Sequence, residues 1–406
     1  MTDNRINDIS KENLRKLAIV GTHHHQWQGK DKQDILNVFK QQVMVQLDPL
    51  NPAGRNHDIF FSSRIKNYKI ADFQKTVYSI KEVFEAYFPN LMAITKEHFS
   101  LFLPQMKKEF MHKYYQSRLE KMEKLHKGIL NEARSFILEN GPCKAVDMSE
   151  MASVKPEFTF WKTSNLAGMS LEMLWILGTA VIVDRDSNWR KTYGLTENYF
   201  DETTRSEVQL TDDEISYRKF LAKQKSYPLV NLGKVQLTKN NKLSIGKQKR
   251  IFPDWFCKDD ETSPKIVSLE ESQKGIAVPG NWEKMLASKL DSEMRAIAPL
   301  DPLIWDRELL SHVFDFDYTW EVYKIPKDRK WGYYVFPLLY QGELIGRLEA
   351  KLEKKTKTLK MFNFQKQADF NFDNSAESAL FNLFNRWQNS LSAEELIYDK
   401  SISSIK

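Results

Sequence analysis

Apolar residues recur along this chain in two different periods, and the change of period divides it. Near the start, Leu14, Leu17, Ala18 and Ile19 fall at helical spacing behind Ser10 and Asn13, which predicts a capped amphipathic helix. Ile35, Leu36, Val38 and Phe39 predict a second helix, with residues 21–29 as a solvated loop between them. Val43-Met44-Val45-Gln46-Leu47-Asp48-Pro49 then passes from an apolar run into alternation and stops at proline, the pattern of a short extended segment. Residues 75–140 read as helical. Within them Lys107, Lys108, Lys113, Arg118, Lys121, Lys124 and Lys127 recur among Phe110, Tyr114, Leu119 and Leu125, predicting one long helix with a basic face. A further helix over 129–138 is stopped by Asn140-Gly141-Pro142.

An apolar helix over 171–177 leads into two strand-like arms around Asp186-Ser187-Asn188, a β-hairpin whose tip carries Arg185, Arg190 and Lys191. Helix, turn, helix and hairpin in this order describe a winged helix. A weaker copy follows: a helix over 212–223, then strands over 234–238 and 242–245 around Asn240-Asn241. The period changes to two in the tail, where residues 318–323, 332–339, 344–351 and 357–361 read as strands and 375–389 as a closing helix. The expected fold is therefore α+β: tandem winged-helix domains followed by a C-terminal β-rich, barrel-like domain. The expected regions are 1–125, 126–205, 206–295 and 296–406.

Composition narrows the class. A chain of 406 residues with 41% hydrophobic and 28% charged residues buries more than one core. Sixty basic against 54 acidic residues give +6, compatible with a basic stripe without requiring a polyanionic partner. Cys143 and Cys257 alone build neither a disulfide framework nor a cysteine zinc site, and the longest apolar run, residues 173–183, is too short to span a bilayer. A cytoplasmic location is expected.

The chain carries no phosphate loop, dinucleotide fingerprint, zincin helix or nucleophile elbow. His23-His24-His25 lacks a suitably spaced partner carboxylate, so neither a metal nor a cofactor is expected. Gln46-Leu47-Asp48 is different, because residues two apart on an extended segment face the same side. Glutamine can donate to and accept from a water, and aspartate can take its proton or stabilise a sugar cation, which suits hydrolysis of a glycosidic bond. The same carboxylate equally fits a cap on the turn over 51–55.

Gln46-Leu47-Asp48-Pro49-Leu50-Asn51, continuing through Arg55-Asn56-His57-Asp58 and Phe61-Ser62-Ser63-Arg64, resembles the signature of the AlkZ/YcaQ-like winged-helix DNA glycosylases. A second block is similar to the same family: Leu300-Asp301-Pro302-Leu303-Ile304-Trp305-Asp306-Arg307, Phe316-Asp317-Tyr318 and Lys330-Trp331-Gly332-Tyr333-Tyr334-Val335-Phe336-Pro337. Residues 175–195 resemble the family's second winged helix. The resemblance implies removal of alkylated bases from double-stranded DNA and, in some members, unhooking of crosslinked purines. Its catalytic motif is glutamine, an apolar residue, then glutamine or aspartate; Gln46 and Asp48 match the aspartate version, which looks like the branch of broader substrate range. Gln26-Trp27-Gln28 fits the glutamine version but lacks the Asn51 and Arg55 context. Pro52 and Gly54 stand where the family usually has small or β-branched apolar residues, and Phe84-Glu85-Ala86-Tyr87 follows its aromatic-rich segment loosely. These departures bear on substrate choice more than on fold.

The implied roles are Asp48 as base or stabiliser of the sugar cation and Gln46 as water-positioning group, in a monofunctional and monomeric hydrolase. Expected DNA contacts are Asn51, Arg55, His57 and Arg64 beside the motif, and Arg185, Arg190 and Lys191 on the wing. Asp306 and Arg307 are expected to brace the β domain against the winged helices. The rival class is a non-catalytic winged-helix regulator, which would need DNA contacts but neither Gln46 nor Asp48.

Overall fold

The computed structural model describes residues 7–88, 90–107, 111–156, 165–206, 210–231, 236–238, 241–242, 261–269 and 275–403. The chain divides into two compact units, one made of Met1–Phe73 with Phe220–Lys406 and the other of Gln74–Lys219. These borders differ from those expected at 125, 205 and 295. The reason lies in long-range pairing within the first unit. Strand Asn7–Ile9 lies parallel to Lys265–Leu269, the Leu352 amide donates to the Pro52 carbonyl at 2.6 Å, and Trp387 Nε1 donates to the Ala53 carbonyl at 2.8 Å.

In the first unit, helix Lys11–Gly21 starts at Ser10, whose hydroxyl accepts from the Asn13 amide at 3.2 Å, and buries Leu14, Leu17, Ala18, Ile19 and Val20. Helix Ile35–Gln42 ends at Val43, whose φ of 61° turns the chain directly into strand Met44–Gln46. Residues 47–50 continue without regular hydrogen bonding, and helix Asn56–Ser62 follows. The two helices meet through aromatic rings: Phe61 lies 5.2 Å from Phe39 and 5.6 Å from Phe73.

The tail of the same unit is a five-stranded sheet in the order Arg295–Ala296, Val335–Tyr340, Glu343–Glu353, Thr358–Lys366, Glu395–Tyr398. Every pairing is antiparallel except the last. Helix Asn374–Leu391 buries Leu380, Phe384 and Trp387, with Trp387 edge-on to Phe336 at 4.8 Å. Three of the expected strands form; residues 318–323 do not. There the buried Glu321 carboxylate accepts from the Lys330 and Trp331 amides at 3.1 and 2.7 Å, so it gathers a loop in place of a strand.

The second unit corrects the helical reading of residues 75–140. Val83–Tyr87 and Leu91–Thr95 form an antiparallel hairpin buried on both faces, so neither arm alternates as a half-exposed strand does. The basic run is helical only over Lys113–Leu125 among the described residues. Helices Ile129–Asn140 and Leu166–Ile176 precede the expected hairpin, Ala180–Arg185 paired with Lys191–Leu195. The second expected hairpin, which belongs to the first unit, pairs Gln236–Thr238 with Asn241–Lys242; residues 234–235 and 243–245, like Cys257, lie outside the described residues. No helix among the described residues is long and apolar enough to cross a membrane.

Candidate active site

Strand Met44–Gln46 leads through Leu47-Asp48-Pro49 to Leu50, the first of three consecutive residues that line a cleft. Gln46 closes the strand with its side chain largely buried, and its carbonyl accepts from Asn56 Nδ2 at 2.8 Å. Asn56 is fully buried, and its Oδ1 accepts from the Leu300 amide at 2.9 Å. One amide side chain therefore fixes the motif strand to the second signature block. Asp48 is half-buried on the following extended residues. Its Oδ1 accepts from the Leu50 amide at 2.9 Å, which is the turn-capping role, and its Oδ2 has no protein hydrogen bond among the described residues. Burial raises the Asp48 pKa, and the Leu50 amide offsets part of that rise.

The turn behind the motif is self-supporting. Asn51 Oδ1 accepts from the Gly54 amide at 3.0 Å, and Gly54 takes φ 106°, a conformation that favours glycine. Asp58 Oδ2 accepts from the Arg55 amide at 2.8 Å and Oδ1 from the Tyr68 hydroxyl at 3.0 Å. Burial pushes the Asp58 pKa up to about 6 against those bonds. His57 is 1% exposed and packs at a tilt against Phe73, ring centroids 4.3 Å apart, so it sits within the protein where a DNA contact was expected.

Several expected phosphate contacts are already committed to protein. Arg64 is fully buried, donates to Asp301 with Nη1 at 2.9 Å and Nη2 at 3.3 Å, and lies over the Phe60 ring at 3.7 Å. Arg185 is buried against Glu85 at 2.6 and 2.7 Å, and Lys191 Nζ lies 2.7 and 2.9 Å from the Glu172 carboxylate. Each side chain answers a buried carboxylate that a linear reading does not reveal. Arg190 is exposed and pairs with Asp186 at 2.7 Å. His24, expected in a solvated loop, is buried between the Thr22 hydroxyl at 2.9 Å and Asp301 at 3.6 Å. Among the described residues no group of His, Cys, Asp or Glu is arranged to hold a metal ion.

A cleft of about 790 Å³ opens beside the motif, lined by Leu50, Asn51 and Pro52 on one side and by Lys330, Trp331 and Tyr333 among others opposite. The sequence marked that second wall only as part of a family-like block. Asn56, whose bridging role was missed, stood inside the first block and carried no separate signal. Asp306 caps helix Arg307–Phe314 through the Glu308 amide at 3.0 Å and also stands against Tyr227 and Lys223, which lie outside the β-rich segment, while the Arg307 guanidinium lies 4.5 Å from the Tyr318 ring centroid. A carboxylate with one open oxygen beside a polar and aromatic cleft can take a proton from water or stabilise a cation there.

A family model described as DNA glycosylase AlkZ-like matches residues 39–221 and 259–380. The fold is similar to that of the Streptomyces sahachiroi DNA glycosylase AlkZ, at a TM-score of 0.60 and 12% sequence identity, covering 97% of this chain and 100% of that one.

Proposed function

Since the chain belongs to the AlkZ-like DNA glycosylase family, we propose that it hydrolyses the N-glycosidic bond of alkylated purines in duplex DNA and leaves an abasic site. Alkylation at N7 or N3 makes the base cationic, so it departs with the bonding electron pair and needs little acid assistance. The remaining burden is the cation left on the sugar and the delivery of water to C1′. In this reading the Asp48 carboxylate stabilises the cation and accepts the proton of the attacking water, while the Gln46 amide orients that water. The observation that carries it is the open Oδ2 of Asp48, half-buried next to the cleft-lining residues 50–52. No lysine need form a Schiff base, because water is the nucleophile; the reaction is monofunctional.

DNA is held electrostatically in this proposal. Exposed Lys113, Lys121 and Lys124 on helix Lys113–Leu125, and exposed Arg190 at the hairpin tip, are the phosphate contacts we assign, with Asn51 and Arg55 nearest the reacting nucleotide. The succession of helices Ile129–Asn140 and Leu166–Ile176 and the hairpin after them supports a winged-helix reading of that segment.

The test is single-turnover release of 7-methylguanine and of a mustard-type adduct from duplex DNA by wild type, Asp48→Asn and Gln46→Ala. We expect release by wild type and a loss of roughly 10²- to 10⁴-fold in Asp48→Asn with DNA affinity retained. Tight duplex binding by wild type with neither base released overturns the reading in favour of a non-catalytic DNA-binding protein.

A further inference from the structure

The wall of the cleft holds one hydroxyl that the scheme above leaves idle. Tyr334 is 1% exposed, lines the cleft with Leu50 and Asn51, and its hydroxyl has no hydrogen-bond partner among the described residues. Other buried tyrosines are satisfied: the Tyr68 hydroxyl donates to Asp58 at 3.0 Å, that of Tyr78 to Glu85 at 2.6 Å, and that of Tyr318 to the Val335 carbonyl at 2.7 Å. A buried polar group without a partner is costly, and in a cleft it points to a bound group that completes it. The ring is held in place. Trp320 meets it edge-on at 6.2 Å, Phe336 packs at 5.2 Å, and its own amide donates to Glu349 Oε1 at 3.1 Å.

Tyr334 shares its cleft with Leu50, whose amide holds the Asp48 carboxylate. Burial is the main reason the phenol stays protonated, and the Asp48 charge comes next, ahead of Tyr318, Asp58 and Tyr333. Glu349 accepts from the Tyr334 backbone amide. Tyr334 is thus a neutral, rigid donor within electrostatic reach of the motif carboxylate.

We propose that Tyr334 is a positioning residue for hydrolysis, its hydroxyl donating to the water that Asp48 and Gln46 hold for attack. This rests on the hydrolytic reading above. A water has two protons and two lone pairs. Asp48 Oδ2 can take one proton, the Tyr334 hydroxyl occupies one lone pair, and the other lone pair is left to aim at C1′. When the C1′–N bond breaks towards the base and C1′–O forms, the water's proton passes to Asp48 and Tyr334 keeps its own.

Tyr334→Phe tests this, since it removes the hydroxyl and keeps the packed ring. Expected results are a roughly 10- to 100-fold slower single-turnover release of 7-methylguanine, unchanged duplex affinity, undiminished thermal stability, and an acid limb of the pH–rate profile moved to higher pH. The limb moves because Asp48 loses a donor that supports its ionised form through the water. Tyr318→Phe, which also removes a buried hydroxyl, should lower stability and leave the limb in place. Wild-type release by Tyr334→Phe overturns the inference, as does a slower release with an unmoved limb, which is the mark of a structural role. If Asp48→Asn is inactive while Tyr334→Phe is normal, the hydrolytic reading stands without this inference; if Asp48→Asn is fully active, both fall.

Discussion

The side-chain amide of Asn56 donates to the carbonyl of Gln46 at 2.8 Å, and through its Oδ1 the same residue receives the Leu300 amide at 2.9 Å. Two signature blocks separated by more than two hundred residues are thereby joined by one buried group. Asn56→Ala should cost about 1–3 kcal/mol of folding stability, because a carbonyl and an amide lose their partner together. Base release should fall further than stability explains, by roughly 10-fold or more, since the Gln46 backbone is no longer fixed. Denaturant unfolding alongside single-turnover release checks both; an unchanged rate in a folded variant would show that Gln46 is held by other means.

Arg64 and Asp301 form a fully buried pair, so removing one partner strands the other's charge. Asp301→Ala should destabilise by roughly 3–5 kcal/mol. A variant that removes both groups, Arg64→Met with Asp301→Leu, should recover much of that loss. In neither variant should the salt dependence of duplex binding change, because Arg64 offers no group to phosphate. A flatter salt slope in the double variant would reinstate Arg64 as a DNA contact.

The two hairpin arginines should behave oppositely. Arg190 has an exposed side chain and Arg185 is buried against Glu85. Arg190→Ala is expected to weaken duplex binding and reduce the log–log salt slope by about 0.9, one phosphate's share. Arg185→Ala is expected to lower stability and leave the slope unchanged. Titrations at several salt concentrations separate the two, and equal slopes for wild type and Arg190→Ala remove the tip from the interface.

Local signals were legible where they sit within one turn or one hairpin. Ser10 caps its helix, proline ends the motif segment, and the arms around Asp186 pair as expected, because each depends on neighbours in sequence. What stayed hidden is set by distant partners. The Val83–Tyr87 hairpin is buried on both faces, so its residues lack alternation and pass for helix. Glu85 and Glu172 turn basic residues of the expected wing into internal ion pairs, and Asp301 does the same to Arg64. Of the candidate site, Gln46 and Asp48 stand out through their spacing and family context; the wall at Trp331 to Tyr334 is assembled only by the fold.

Asp48 should set the acid limb of catalysis. Its pKa is raised by burial, so its ionised fraction appears at higher pH than for a free aspartate near 3.9. The logarithm of kcat/KM should therefore rise with pH until Asp48 is ionised, with the break above that reference value. Asp48→Glu, with a longer and more exposed carboxylate, should retain part of the rate and move the limb. A pH-independent rate down to the reference value would show that Asp48 does not have to be charged.

Asp58 makes stability depend on pH with an unusual sign. Its folded-state pKa of about 6 exceeds the unfolded value near 3.9, because burial outweighs the bonds from the Arg55 amide and the Tyr68 hydroxyl. The folded protein therefore binds this proton more tightly than the unfolded chain. Its contribution is greatest below about pH 4 and is lost as pH rises through about 6, amounting to roughly 2–3 kcal/mol. The other charged or titratable groups against it, Arg55 and Tyr68 together with His57 at 3.7 Å, remain in the comparison variant. Asp58→Asn keeps an oxygen for the Arg55 amide and cannot ionise. Its stability relative to wild type should accordingly improve between pH 4 and 7, whatever other groups do in both proteins. Urea unfolding at four pH values in that range measures the difference directly, and parallel curves would mean that Asp58 ionises as easily folded as unfolded.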